Sequence, residues 1–213
     1  MKTISCIIFD MDGVLIDSEA IHKLATQKAF EHFGLRVTEE QYPSRGTPDE
    51  VVMVWLSRLF PDAQLSVGEL LRLKNMHYEA LEHMAVPVPG AVEFVRWAKG
   101  RYRIALATMA TPRNCQSTML LLGLEDAFQC VVDRSCVTHP KPAPEAFLMA
   151  AAGLGSAPAE CLVIEDSVSG VTAAKAAGCT VIALTTSFPR ARLLELGADS
   201  VVDSFAEISA LLA

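Results

Sequence analysis

Short apolar runs alternate with helical stretches over the second half of this chain, and this alternation restricts the possible folds more than any other feature. The runs are 104–107, 130–132, 161–164, 181–184 and 200–202. The helical candidates between them are 112–122, 144–154, 168–177, 191–195 and 205–212. Strict alternation is typical of βαβ units, in which parallel strands form one sheet with helices on both faces. With the apolar run at 4–9, the sequence predicts an α/β fold with a Rossmann-like core of six parallel strands.

Residues 17–86 have a different sequence pattern, with several helix starts and no convincing strand. Three segments fit capping boxes, at 38–41, 47–50 and 66–69, and Gly34 can end the first helix. We therefore predict a small α-helical cap domain at 17–86, inserted into a core domain of residues 1–16 and 87–213. Because the insertion follows the first strand, the cap is expected over the carboxyl edge of the sheet, where it can close over a substrate.

Charge and cysteine usage limit the partners and the compartment. A net charge of −7 argues against wide contact with nucleic acid, although it leaves room for a small anionic ligand. The six cysteines lie far apart, so buried free thiols in a reducing cytosol are favoured over disulfides or metal ligands. There is no signal-peptide pattern and no apolar run of roughly 20 residues. We expect a soluble cytoplasmic protein, a monomer or small homo-oligomer, with no membrane partner.

The first strand ends in two carboxylates, Asp10 and Asp12, followed by Gly13. The carboxyl ends of parallel strands are where open α/β sheets bind their ligands. A close pair of like charges costs on the order of 4 kcal/mol at an effective dielectric near 20. The pair is tolerable in a solvated turn, with one group protonated, or with a cation between them, and these residues alone leave the alternatives open.

Further polar residues follow other predicted strands. Thr108 ends the run at 104–107, Lys141 lies between two prolines ahead of a helix, and Glu165 and Asp166 end the run at 161–164. Taken singly, each has an ordinary explanation as a helix-start residue, a solvated cation or charges that favour a helix N-terminus. Together, four carboxylates, one ammonium and one hydroxyl at the strand ends of one sheet match the needs of Mg²⁺-dependent phosphoryl transfer.

In this order, the D-x-D-G-V segment at 10–14, Thr108, Lys141-Pro142 and Glu165-Asp166 resemble the four motifs of the haloacid dehalogenase superfamily. The resemblance is to the phosphotransferase branch with a helical cap, and within it to the subgroup of sugar phosphatases and β-phosphoglucomutase. An alcohol leaving group needs a proton, which a dehalogenase does not supply. The second aspartate of the motif therefore favours a phosphate ester as the substrate.

The resemblance also implies roles for the motif residues. Asp10 is the nucleophile that forms an aspartyl-phosphate, and Asp12 is the general acid and base. Thr108 and Lys141 bind the transferring phosphate. The implied Mg²⁺ ligands are Asp10, the backbone carbonyl of Asp12, Glu165 and Asp166.

The cap supplies weaker candidates for substrate binding. His22 follows a segment similar to the first cap helix of this subgroup, and Arg45 and Gly46 lie in a segment similar to its substrate-facing loop. A surface histidine and a solvated arginine are the alternatives. A mutase would be expected to carry a basic residue a few positions after Gly46, where this chain has Thr47-Pro48-Asp49-Glu50. The sequence thus favours a phosphatase for a small phosphorylated metabolite such as a sugar phosphate, over a mutase or a non-catalytic binding module.

Overall fold

The computed structural model describes residues 4–43, 47 and 49–212. Its contacts divide the chain into two compact units, one of Met1–Asp17 with Pro87–Ala213 and one of Ser18–Val86. In chain order the elements are β1 (Cys6–Phe9), β2 (Ile16–Asp17), α1 (Glu19–Glu31), α2 (Asp49–Ser57), α3 (Val67–Leu81), β3 (Val86–Pro87), α4 (Ala91–Lys99), β4 (Arg103–Ala107), α5 (Pro112–Leu122), β5 (Cys130–Val132), α6 (Glu145–Gly153), β6 (Cys161–Glu165), α7 (Val168–Ala177), β7 (Thr180–Leu184), α8 (Arg190–Glu195), β8 (Ser200–Val202) and α9 (Phe205–Leu212).

The first unit is built on a six-stranded parallel sheet with the strand order β5-β4-β1-β6-β7-β8. β1 therefore lies inside the sheet, where it pairs with β4 on one side and with β6 on the other. All four residues of β1 are buried, as expected for a parallel strand that is covered on both faces. This sheet confirms the predicted Rossmann-like α/β core.

Helices cover the two faces of the sheet. On one face, side chains of β1, β4, β6 and β7 pack against α6 and α7 in a cluster that includes Ile8, Phe147 and Val171. On the other face, the Phe9 ring lies 6.0 Å from the Phe94 ring of α4, which in turn lies 5.1 Å from the Phe205 ring of α9. The helix α4 is an addition to the predicted elements, because it precedes the first predicted run of the alternation.

The second unit is helical and has its own core. Residues of α1, α2 and α3, with one residue of the segment after α1, pack together in a buried cluster of Ala29, Phe30, Val37, Met53, Leu56, Leu70 and Leu73. The unit confirms the predicted inserted α-helical domain. The predicted capping box at Thr38 and Gln41 is formed, and at the next predicted box Ser66 caps α3 by accepting from the Glu69 amide. The box at Thr38, however, starts a short 3-10 turn at Glu39–Gln41 rather than an α-helix.

Residues 44–46 and 48 lie outside the described residues, so the predicted capping box at 47–50 is described only in part. Within the described ranges, no helix combines the length and the apolar content needed to cross a membrane.

Candidate active site

Three neighbouring strands end at one edge of the sheet and place the motif residues there. Asp10 follows β1, Thr108 follows β4, and Glu165 is the last residue of β6 with Asp166 directly after it. The strands β4, β1 and β6 are adjacent and parallel, so their carboxyl ends meet. The fold thus brings together residues that lie up to 156 positions apart in the sequence, from Asp10 to Asp166.

Lys141 joins these strand ends from the loop before α6. Its buried ammonium donates to Asp10 Oδ1 at 2.6 Å, to Glu165 Oε1 at 2.9 Å and to the carbonyl oxygen of Ala107 at 3.0 Å. Burial works against a charged lysine, but the two carboxylates outweigh it and raise the pKa of Lys141. The ammonium therefore stays protonated and holds β1, β4 and β6 together at this edge.

Three buried carboxylates lie together here, and the Lys141 ammonium contacts two of them, Asp10 and Glu165. Oxygen atoms of Asp10, Glu165 and Asp166 lie within 4.8 Å of one another. Burial raises the pKa of Asp10 to about 8, against the opposing effect of Lys141. Burial, followed by the charges of Glu165 and Asp10, also raises the pKa of Asp166. Three carboxylates and one ammonium leave an excess of negative charge that protons or a cation must balance.

Glu165 is fixed by hydrogen bonds to both of its oxygens. While Oε1 accepts from Lys141, Oε2 accepts from the amide of Asp166 and from the amide and hydroxyl of Ser167, at 2.8, 2.8 and 3.0 Å. Ser167 also caps α7 by accepting from the amide of Gly170. A Cβ on Gly170 would overlap the Glu165 carboxylate. This carboxylate is therefore an anchor for Lys141 and for the turn into α7.

Asp166 is held from a different direction, by two hydroxyls that follow β7. The hydroxyl of Ser187 donates to Asp166 Oδ2, and the hydroxyl of Thr186 lies 3.2 Å from the same oxygen and 2.6 Å from the carbonyl oxygen of Gly13. Gly13 has a φ of +79°, and a Cβ there would overlap the Asp166 carboxylate. Thr186 and Ser187 are not among the residues predicted from the sequence, although hydroxyls just after a predicted strand were a signal for them.

Thr108 is buried beside the same edge. Its amide donates to the carbonyl oxygen of Val132 at 2.9 Å, and its Oγ1 accepts from the amide of Ala110 at 3.0 Å. The second of these bonds fixes the oxygen of the hydroxyl and directs its proton away from the Ala110 amide. A fixed hydroxyl at a strand end can donate to an anionic oxygen of a ligand.

The helical unit holds a second polar cluster, around His22. The ring of His22 stacks on Tyr78 with 4.4 Å between ring centres, and its Nδ1 lies 2.8 Å from the ammonium of Lys74. Lys74 is only 1% exposed and also donates to Asp49 at 2.5 Å. Lys74 is not among the residues predicted from the sequence; the signal for it was its place on the apolar stripe of α3, one residue after Leu73 and four before Tyr78. Arg45 and Gly46 lie outside the described residues.

Comparisons with known proteins indicate the family of the chain. A model of the haloacid dehalogenase-like hydrolases matches residues 4–178. The chain is 33% identical to the fructose-1-phosphate phosphatase YqaB of Escherichia coli (strain K12) over 181 residues, covering 83% of this chain and 94% of that protein. It is 31% identical to the protein SUPPRESSOR OF QUENCHING 1, chloroplastic, of Arabidopsis thaliana over 97% of its own length, but it spans only 20% of that longer protein.

Among solved structures, a putative β-phosphoglucomutase from Thermotoga maritima superposes with a TM-score of 0.78 at 28% identity, over 98% of this chain and 99% of that one. The chain belongs to the haloacid dehalogenase-like hydrolase family. The expectation that it is an enzyme of the phosphoric monoester hydrolase class is confirmed.

Proposed function

We propose that the protein is a Mg²⁺-dependent phosphatase that hydrolyses a small phosphorylated metabolite, with a sugar phosphate as the favoured substrate. The observation that carries the proposal is the buried group of Asp10, Glu165 and Asp166, of which Asp10 and Glu165 contact the ammonium of Lys141. The carboxylate oxygens of such a group are hard ligands that suit a divalent cation. The metal ion and the lysine ammonium then offer positive charge to a phosphate.

The reaction begins with Asp10. Its carboxylate attacks phosphorus, the ester bond to the leaving oxygen breaks, and an aspartyl-phosphate forms. Asp12 gives a proton to the departing alcohol and then takes one from the water that attacks the aspartyl-phosphate. The bond between phosphorus and Asp10 breaks, so that inorganic phosphate is released and ionised Asp10 is regenerated. Thr108 and Lys141 donate to the oxygens of the transferring group and offset its developing charge.

The oxygen donors of this group fit Mg²⁺, and the hydrogen bonds that each carboxylate already accepts indicate which of them would bind the ion. Asp10 and Asp166 are the carboxylate ligands, with the backbone carbonyl of Asp12 as a third donor. Glu165 acts chiefly as the anchor, since both of its oxygens already accept hydrogen bonds. When bound, the cation supplies positive charge that lowers the pKa values of the buried carboxylates and neutralises the phosphate. This division narrows the ligand set implied by the resemblance, which gave Glu165 equal weight.

Substrate choice is proposed to lie with His22, Arg45 and Gly46 of the helical unit, together with Thr108 and Lys141. A sugar phosphate is favoured because the relatives include a fructose-1-phosphate phosphatase. The second candidate function is a mutase that moves phosphate within a hexose, which the structural similarity to a putative β-phosphoglucomutase supports. The acidic segment Asp49-Glu50, where a mutase would be expected to carry a basic residue, favours the phosphatase.

The mechanism is tested by Asp10→Asn, which removes the nucleophilic oxygen and keeps the shape of the side chain. Release of p-nitrophenol from p-nitrophenyl phosphate should be abolished, while the exposed matched control Asp126→Asn should keep the wild-type rate. Turnover by the Asp10→Asn variant would exclude an aspartyl-phosphate on this residue.

Product analysis separates the two candidate functions. With β-glucose 1-phosphate and a trace of the corresponding bisphosphate, a phosphatase releases inorganic phosphate in step with substrate loss. Formation of glucose 6-phosphate without free phosphate would identify a mutase. A screen of phosphorylated metabolites for phosphate release would then identify the substrate.

A further inference from the structure

Three cysteines lie in a row at the end of the sheet opposite Asp10. Cys6 is the first residue of β1, Cys161 is the first residue of β6, and Cys179 directly precedes β7. The three strands are neighbours in the order β1-β6-β7. In the sequence these cysteines are more than 150 residues apart at the extremes, and their proximity follows only from the strand order.

Cys6 and Cys161 form a close pair within this row. They are register partners on adjacent strands, both side chains are fully buried, and their Sγ atoms lie 2.7 Å apart. Non-bonded carbon atoms in a protein core pack at about 3.5–4.0 Å, and sulfur is the larger atom. A disulfide bond measures about 2.05 Å, so the two sulfurs are closer to bonding distance than to ordinary packing distance.

The surroundings make the two thiols unequal. The hydrogen bond from Cys161 lowers the pKa of the Cys6 thiol to about 6, and it outweighs burial with help from the Ser156 hydroxyl and the Arg103 guanidinium. The same hydrogen bond, followed by burial, raises the pKa of Cys161. Since the thiolate is the reactive form of cysteine, Cys6 is suited to react first and Cys161 to resolve the product.

A metal site is the other chemistry that neighbouring thiols can support. Cys179 is the third thiol of the row, but the three sulfur atoms do not all lie within 4.8 Å of one another. Among the described residues, the only group of three or more potential ligand side chains within that distance is Asp10, Glu165 and Asp166. The geometry therefore favours a pair that exchanges electrons over a trio that binds a cation.

We propose that Cys6 and Cys161 are a redox pair that a hydroperoxide oxidises to an intrachain disulfide. The Cys6 thiolate attacks one peroxide oxygen, the O–O bond breaks, and the displaced hydroxide (or alkoxide) takes up a proton; Cys6 becomes a sulfenic acid. The sulfur of Cys161 then attacks the Cys6 sulfur, and the S–O bond breaks. Hydroxide leaves with the Cys161 proton as water. Two thiols lose two electrons and two protons, and one peroxide is reduced; two equivalents of a small thiol reverse the change.

The pair is independent of the proposed phosphatase chemistry, because it lies at the opposite ends of β1 and β6 from Asp10 and Glu165. Asp10 lies four positions after Cys6 along the extended chain, a distance of about 13 Å at roughly 3.3 Å per residue. The sequence predicts buried free thiols, and both cysteines are free and buried in the structure; the proposal adds that this pair can be oxidised.

Peptide mapping of the whole protein tests the pair directly. The reduced protein is exposed to a few equivalents of hydrogen peroxide, alkylated with N-ethylmaleimide under denaturing conditions, and digested with trypsin and a glutamate-specific protease. Cleavage isolates Cys6 in peptide 3–19, Cys161 in peptide 161–165 and Cys136 in peptide 135–145. We expect peptides 3–19 and 161–165 to appear as one cross-linked species that lacks two hydrogens and separates after treatment with dithiothreitol.

The exposed Cys136 is the internal control for oxidant strength. The proposal is overturned if peptides 3–19 and 161–165 remain alkylated at a peroxide dose that oxidises Cys136. It is equally overturned if Cys6 cross-links to Cys179, or if Cys6 proceeds to a sulfinic acid without a cross-link. In a Cys161→Ala variant, Cys6 should stop at the sulfenic acid and react with dimedone, while Cys179→Ala should retain the cross-link. The wild-type map does not depend on whether either variant folds.

Discussion

Lys141 is one positive charge that faces two carboxylates in a buried pocket. Its side chain is 3% exposed, and those of Asp10 and Glu165 are 11% and 1% exposed. In such a site the Coulomb attraction mainly offsets the cost of desolvating the charges. In the proposed phosphatase reaction, the lysine would contribute through its preorganised position, because no solvent has to reorganise when charge develops on a phosphate.

Replacing this lysine by a side chain of similar length tests that role. Lys141→Met keeps the apolar stem but leaves Asp10 and Glu165 without their partner. We expect turnover of p-nitrophenyl phosphate to fall by about 10²–10³-fold and the free energy of unfolding to fall by about 3–5 kcal/mol. Steady-state kinetics and urea unfolding measure the two effects. Lys99→Met, at an exposed lysine on the same unit, should change neither; normal turnover by the Lys141→Met variant would contradict the assignment.

Two separate features of the structure favour glycine at position 13. Its φ of +79° is unfavourable for other residues, and a Cβ would overlap the Asp166 carboxylate. Gly178 provides the comparison, since its φ is +85° and nothing lies within 4 Å of the position of its Cβ. The two positions therefore separate backbone strain from the close approach to Asp166.

We expect Gly13→Ala and Gly178→Ala both to lose about 1–2 kcal/mol of stability, because each forces alanine into the left-handed region. Only Gly13→Ala should also lose activity, by about 10²-fold, because it displaces a group at the reacting centre. Thermal melts and kinetics on both variants give the answer. Equal activity in the two variants would show that the contact between Gly13 and Asp166 has no catalytic consequence.

At the scale of elements, Asp199 joins α7, β7 and β8. Its Oδ2 accepts from Lys175 of α7 at 2.6 Å and from the amide of Val181 in β7 at 2.8 Å, while its own amide donates to the carbonyl oxygen of Val181. Partial burial raises the pKa of Asp199, but the bonds from Lys175 and Val181 outweigh it and lower that pKa below 3.8. The folded state therefore binds the ionised form more strongly than the unfolded state does.

A lowered carboxyl pKa contributes stability above the unfolded value and loses it as the pH falls through the folded value. We expect Asp199→Asn to cost roughly 0.5–1 kcal/mol at pH 7, in the range of partly exposed ion pairs. The difference from wild type should shrink as the pH falls below about 4. Urea unfolding at several pH values measures it. The control is Glu195→Gln, which breaks an exposed pair with Arg192. If the loss of stability in Asp199→Asn did not change with pH, the lowered pKa of Asp199 would not be the source of its contribution.

The elements of the core were largely predictable because strand and helix periods differ so clearly there. The predicted helix at 168–177 matches α7, and the predicted run at 181–184 falls within β7. The type of helix that follows Thr38 was harder to predict, because a capping box stabilises the first turn of a 3-10 helix as well as that of an α-helix. Local hydrogen bonds thus identify where a helical turn begins but do not determine how far it continues.

In the molecule as a whole, the features that could be predicted from the sequence are those that do not depend on which strands are neighbours in the sheet. The motif residues were found because all parallel strands end at one edge, whichever strands are neighbours. The pairing of Cys6 with Cys161 required knowing that β1 lies beside β6, and periodicity carries no such information. Lys74 was missed for a related reason, because a lysine on an apolar stripe is buried only where the fold supplies partners such as His22 and Asp49.

The chain carries a net charge of −7, and its buried carboxylates add local repulsion that a divalent cation would relieve. A ligand that binds only the folded state stabilises it by about 2.7 kcal/mol at one hundred times its Kd. For a chain of this size, that free energy corresponds to a rise in Tm of roughly 5–10 °C. We therefore expect MgCl₂ to raise the Tm of the wild-type protein by this amount, relative to choline chloride at equal ionic strength.

Two carboxylate variants show whether the stabilisation comes from the proposed site. Asp166→Asn removes a ligand charge and should abolish the rise in Tm, whereas the exposed Asp126→Asn should preserve it. Glu165→Gln should keep part of the rise but lose turnover, because Glu165 anchors Lys141 through Oε1 and only lies near the cation. Circular dichroism of each variant before melting establishes that it is folded. A full rise in Tm in the Asp166→Asn variant would show that the stabilisation does not depend on Asp166, and would contradict its proposed role as a ligand.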